Sequence, residues 1–195
     1  MSSRFFPRPT ALTPLDRARD FARVQVCAGL LEPAELYAEV RAAVAAELPG
    51  EDAGSTARDL VAQLRAELLD EQRGWDRPTD HDRLQAAFAT LTEQGVVVLQ
   101  AVEDHWVVDT CLRGLAADAR PAAGAVWFTA PDVWHAVDHG MLELNVWHAD
   151  TANVVPGDPL LDLVVAALAE QGVAGHFDEG RVEVAAYWRK PLAER

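Results

Sequence analysis

The chain has 195 residues, half of them hydrophobic and a quarter charged, with a formal net charge of −14. That size and balance fit a globular protein with a core of its own, in one domain or a domain with a helical extension. The acidic surplus excludes nucleic acid and anionic membrane as natural partners, because both select basic surfaces.

Residues 1–13 carry prolines at positions 7 and 9 and no apolar stretch, which predicts a flexible N-terminus rather than a signal peptide. Thr13 and Pro14 read as cap and first turn of a helix that ends near Gly29. A second helix starts around Pro33, with Leu36, Val40, Val44 and Leu48 at helical spacing before Pro49 and Gly50. Ser55 or Thr56 caps a third, with Leu60, Leu64 and Leu68 on one side, ending at Gly74.

From Trp75 the pattern alternates. Thr79 and Asp82 form a capping pair ahead of Leu84, Ala87, Phe88 and Leu91, and Gly95 closes that helix. Val96 to Ala101 is a continuously apolar strand, followed by a helix from about Asp104 to Ala119. Ala125 to Thr129 is a second strand and Pro131 to His139 a short helix. Met141 to Trp147 alternates with period two, placing Leu142, Leu144 and Val146 on one face and Glu143, Asn145 and Trp147 on the other. Asp158-Pro159 opens an apolar helix to about Gln171, with Asp158 read as its cap. Val173 to Phe177 and Arg181 to Trp188 form a closing hairpin.

The predicted class is α/β, a mixed sheet of about five strands in the order β-α-β-α-β-α-β-β with an N-terminal helical segment. Residues 14–74 are the helical segment and 75–192 the α/β domain, expected to form one compact unit. Crossover lengths suggest parallel βαβ units between the first four strands, with Ala130–Gly140 near the minimum.

Charge is uneven along the chain. From Pro121 to Gly180 there are nine acidic residues, four histidines, three tryptophans and not one lysine or arginine. Cys27 and Cys111 stand far apart, the pattern of reduced thiols, and the longest apolar run, Leu163 to Ala169, is too short for a bilayer. A cytoplasmic location is therefore expected. Sixteen arginines against one lysine suggest a GC-rich bacterial source. No P-loop, dinucleotide fingerprint, G-x-S-x-G elbow or zinc knuckle occurs.

Trp75, Thr79, Asp80, Asp82, Arg83, Leu84, Ala87, Phe88, Leu91, Gly95 and Val96 fall at the spacing W-x(3)-T-D-x-D-R-L-x(2)-A-F-x(2)-L-x(3)-G-I. In this the chain resembles an uncharacterised bacterial family known only as a domain of unknown function. The resemblance runs from about Leu15 to Leu192. The family's F-Y-H-x-Q-D motif is met here by Trp127, Phe128 and Asp132, with Thr129 and Pro131 in place of the His and Gln. Its closing W-D-G and W-R segments correspond to Phe177-Asp178 and Trp188-Arg189. The polar loop that follows the first strand in the family is the short Val102-Glu103-Asp104-His105 here. A site built in relatives on that His and that loop would be partly missing. The resemblance implies a fold and lends no activity.

Three constellations carry chemistry. Asp132, His135 and His139 fall within about 60° on one helix face, and with His148 they form a candidate site for a divalent metal such as zinc. The bland alternative is a solvated helix face with Asp132 bound to the Thr129 cap. Among Glu143, Asp150, Asp158 and Glu183 an acid/base pair is conceivable, although Asp158 suits a helix cap and Asp150 a turn. The third is a polar and aromatic sheet face: Trp127, Glu143, Asn145, Trp147, Glu183 and Tyr187, joined by Arg181. Such a face suits a cationic or planar partner. The competing reading is that the N-terminal helices cover it. Trp75 and Trp106 read as core or inter-segment anchors and Cys111 as a buried structural thiol.

The leading expectation is a non-enzymatic acidic protein, with no cofactor, that binds a protein partner, for which a basic one is the natural fit. An immunity-protein or antitoxin role suits its size and charge, since negative charge speeds encounter with a cationic partner. The alternative is a small metal-assisted or acid/base enzyme using Asp132, His135, His139 and His148. A homo-oligomer joined through the sheet face or the helices is a third reading.

Overall fold

The computed structural model describes residues 12–120 and 122–192. The expected flexible N-terminus lies outside the described residues except for Leu12 and Thr13. The described residues divide into two compact units, one of 12–26 with Leu31–Glu67, the other of Cys27–Leu30 with the described residues from Leu68 onward.

The first unit holds α2 (Pro33–Glu47) and most of α1 (Pro14–Ala28) and α3 (Ala53–Glu71), whose last residues fall in the second unit. Each buries one stripe: Ala18 and Ala22, then Leu36, Val40 and Val44, then Ala57, Leu60 and Leu64. Their spacing of three or four residues is what makes each stripe continuous. Thr13 caps α1, donating from its amide and hydroxyl to the Asp16 carboxylate. Arg17 pairs with Glu47 at 2.6 Å and Arg19 with Glu67 at 2.8 Å, tying α1 to α2 and α3.

The second unit is a five-stranded mixed sheet with four helices: α4 (Asp80–Glu93), β1 (Val96–Val102), α5 (His105–Ala117), β2 (Gly124–Thr129), α6 (Ala130–His139), β3 (Met141–His148), α7 (Pro159–Glu170), β4 (Gly175–Asp178) and β5 (Arg181–Ala185). The element order is the expected one. At the start of α4 the Thr79 amide donates to Asp82 Oδ2 at 2.9 Å and the Asp82 amide to Thr79 Oγ1 at 3.2 Å, the reciprocal cap its sequence specifies.

The strand order is β1-β2-β3-β5-β4. Only β1 and β2 run parallel; β2–β3, β3–β5 and β4–β5 are antiparallel. This corrects one of the expected parallel crossovers, the one through α6; β1 and β2 are parallel across α5, and β4 runs in the direction of β3 across α7, with β5 between them. The connection Ala130–Gly140 is too short to carry the chain back along the sheet, so β3 returns antiparallel to β2. The closing hairpin then inserts β5, not β4, beside β3. β5 also ends at Ala185, earlier than expected, because Ala186 to Leu192 leave the sheet as a strap.

One face of the sheet is the main core. Val126, Phe128, Leu142, Leu144, Val146, Val182 and Val184 meet Leu84, Phe88 and Leu91 of α4, Val133 and Ala136 of α6, and Val164 and Leu168 of α7. Leu142, Leu144 and Val146 are fully buried, as their alternation requires. The strap closes this core. Trp188, with 4% of its surface exposed, donates Nε1 to the Ala28 carbonyl at 3.0 Å, and Lys190 Nζ reaches the Gly29 carbonyl at 2.7 Å. Gln72 and Leu192 exchange two hydrogen bonds at 3.0 and 3.3 Å. Among the described residues no helix is long and apolar enough to cross a membrane.

Candidate binding face

The second face of the sheet falls into two halves. Over β1 and β2 lies α5, whose Val108 and Leu112 pack on Ala125 and Trp127, with Val97, Leu99 and Trp147 at the margin. Trp127, expected as an open binding residue, is therefore only 6% exposed. Its cover is α5. Trp147 is half-buried beside it, ring edge to face at 5.0 Å, and His105 stands 6.3 Å beyond. Trp106, expected as a core or inter-segment anchor, is 62% exposed, because α5 turns Val108 and Leu112 inward and leaves its first turn outside. Cys111 is half-buried rather than sealed.

The half formed by β3, β5 and β4 is polar. Register places Glu143, Glu183 and His176 in one cross-strand row, and Trp127, Asn145, Arg181 and Asp178 in the next. The sequence-stated face of Glu143, Asn145, Trp147, Arg181 and Glu183 is thus assembled as the alternation requires. Glu143, Glu183, Asp178 and Glu179 share a hollow of about 270 Å3 with Arg181 as its single cation. Arg181 pairs with Glu143. Among the described residues Asp178, Glu179 and Glu183 make no ion pair. An adjoining hollow of about 240 Å3 shares Glu183 and adds Met141, Ala174, His176 and Ala185. An acidic end and an apolar end therefore meet at Glu183, an arrangement that suits a cationic head on an aliphatic stem.

Tyr187 lies past the end of β5. Its ring rests on Gly140, where an added Cβ would come within 2.7 Å, and Arg189 stacks 5.2 Å from its centroid. Asp178 and Glu179 lie between the two strands expected of the closing hairpin and were not among the residues expected on this face. The signal for Asp178 was its two-residue offset from His176, which puts both on one face.

The four proposed metal ligands are not brought together. Asp132 accepts from the Thr129 amide and hydroxyl, both at 2.7 Å, and so serves the α6 cap. The rings of His135 and His139 lie 4.8 Å apart on α6. His148 Nε2 instead meets Asp158 Oδ2 at 2.9 Å. Among the described residues no group of three His, Cys, Asp or Glu side chains is placed to hold a metal ion. Asp158 precedes α7 as expected, but its carboxylate turns back to the Val155 amide at 2.8 Å rather than capping the helix. That amide and then His148 hold its carboxyl below the ordinary range. Of the remaining carboxylates considered for acid/base work, Asp150 accepts from the Ala152 amide at 3.1 Å and shapes a turn.

Fold and face together define a mixed α/β domain with an open, acidic sheet surface. The chain belongs to the family described as Domain of unknown function (DUF6891), whose model matches residues 13–192. No curated protein and no solved structure matches it.

Proposed function

We propose that this protein is a cytoplasmic, non-enzymatic binding protein that engages a basic protein partner through the open half of its sheet. The observation that carries the reading is the hollow in which Glu143, Glu183, Asp178 and Glu179 face solvent with Arg181 alone against them. Charge of one sign gathered on a concave surface draws a cationic partner in and orients it. The rest of the stretch from Pro121 to Gly180 supports this, since it contains no lysine or arginine to quench the field. An immunity-like or antitoxin-like role is one form such binding takes.

The test is binding of a decalysine peptide as salt is raised from about 50 to about 300 mM, where the Debye length falls to a few ångströms. Binding that weakens steeply supports the reading. Absence of binding at low salt, or binding indifferent to salt, overturns it.

A further inference from the structure

We propose that β4 receives an extended segment of the basic partner as an added strand, with alternate side chains seated in an apolar groove against α7. The inference rests on the reading above, since it names the form in which that partner is recognised. β4 is an edge strand, paired only with β5. The Ala185 amide donates to the Ala174 carbonyl at 3.1 Å, which sets the phase of the ladder. In an antiparallel pair the mutually bonded residues recur every second position, so His176 with Glu183 and Asp178 with Arg181 are the bonded pairs. Gly175 and Phe177 consequently turn their N–H and C=O groups away from β5. Among the described residues nothing pairs with them.

Those same two residues line a groove of about 480 Å3. Its other wall is one stripe of α7, Leu161, Val165 and Ala169 at intervals of four, with Pro156 at its end. A strand laid beside β4 would send every second side chain onto this apolar wall. The intervening side chains would point to the opposite face, beside His176 and Asp178 and toward the acidic hollow. Asp162 stands at the groove's rim, and no lysine or arginine lines it. Edge strands are commonly blocked by lysine, proline or a bulge. The sequence Gly-His-Phe-Asp of β4 has no lysine or proline and its register with β5 is unbroken, so what protects this edge is its length of four residues and the charge of Asp178. Because it offers outward backbone groups at only two residues, main-chain bonds alone would hold a strand weakly. Affinity must come from both side-chain sets, which selects a segment alternating apolar and basic residues.

The experiment compares two capped hexapeptides, Val-Lys-Val-Lys-Val-Lys and Val-Val-Val-Lys-Lys-Lys, by NMR titration of the full chain with amide hydrogen exchange. The alternating peptide is expected to bind at least about tenfold more tightly and to slow exchange at Gly175 and Phe177. Ala169→Arg, at an exposed α7 position, is expected to remove that preference without unfolding the protein. Equal affinity for both peptides with unchanged exchange at Gly175 and Phe177 overturns strand addition and leaves the acidic-face reading standing. Failure of both peptides to bind overturns both. Slow exchange at these amides without peptide, increasing with protein concentration, would assign the edge to a second copy of the chain and overturn the inference.

Discussion

Glu143 on β3 stands directly across from Glu183 on β5, two carboxylates of like charge opposed on the open side of the sheet. Only Glu143 has a cation, Arg181. Like charges so placed oppose sheet formation by a few tenths of a kcal/mol. Neutralising Glu183 should therefore stabilise the fold while weakening the binding of cations. Glu183→Gln is expected to raise stability by about 0.2–1 kcal/mol in urea unfolding, and to lower affinity for decalysine in the same preparation. A loss of stability would mean that Glu183 is held by contacts other than those seen.

The pH dependence of stability should carry a mark from His81. Burial, then repulsion from Lys190, holds its imidazole below the ordinary 6.5, against a smaller opposing pull from Asp82. Its Nδ1 is buried without a hydrogen-bond partner among the described residues, and its ring meets Trp188 edge-on at 4.7 Å. As pH falls the unfolded chain takes this proton first. The stability is thus full above pH 6.5 and declines below it, toward the lower folded value. Urea midpoints measured from about pH 7.5 to about pH 5.5 should fall, and His81→Phe should flatten that fall. A separate loss belongs to carboxylates held low. Asp82, whose burial is outweighed by bonds from Thr79 and Arg77, and Asp158 should add theirs only as pH drops below 3.8.

These sites show what the sequence could and could not disclose. The Thr79–Asp82 cap and the alternation of Met141 to Trp147 are local, and both appear as read. The phase of that alternation also fixed which face Glu143 and Asn145 share, whereas Glu183 joins them through the pairing of β5 with β3. Pairing is not local: nothing near β3 states that β5 rather than β4 becomes its neighbour. The burial of Trp127 was hidden for the same reason. Alternation names its face, but only the docking of Val108 and Leu112 decides what lies over it. His148 was misassigned because its partner, Asp158, follows ten residues later across a loop.

Gly124 in β2 sits where backbones approach closely. A Cβ there would lie 2.4 Å from the Trp147 carbonyl oxygen and from a Leu160 methyl. The leucine can shift, whereas the carbonyl belongs to the β3 backbone. Gly124→Ala is expected to cost about 2 kcal/mol or more by overpacking, read as a lowered urea midpoint. An unchanged midpoint would show that β2 and β3 can part without loss.

The strap from Ala186 to Leu192 should matter as much as any strand. Trp188 packs on Phe128 with centroids 5.9 Å apart and holds the Ala28 carbonyl. Trp188→Ala is expected to cost about 3–5 kcal/mol, since it opens a cavity and leaves that carbonyl without its donor. Trp188→Phe should recover part of the packing but not the hydrogen bond. Equal stability of the two variants would contradict this division.

The most direct measurement compares two charge-matched triple variants. One neutralises the sheet face, Glu143→Gln, Asp178→Asn and Glu183→Gln; the other removes three exposed acids of the leading helices and loop, Glu39→Gln, Glu51→Gln and Asp59→Asn. If the sheet face is the binding surface, the first variant should lose decalysine affinity by about tenfold or more, while the second stays near the unaltered protein. Equal losses in the two would mean that net charge alone attracts the peptide, and the open sheet face would no longer be the site.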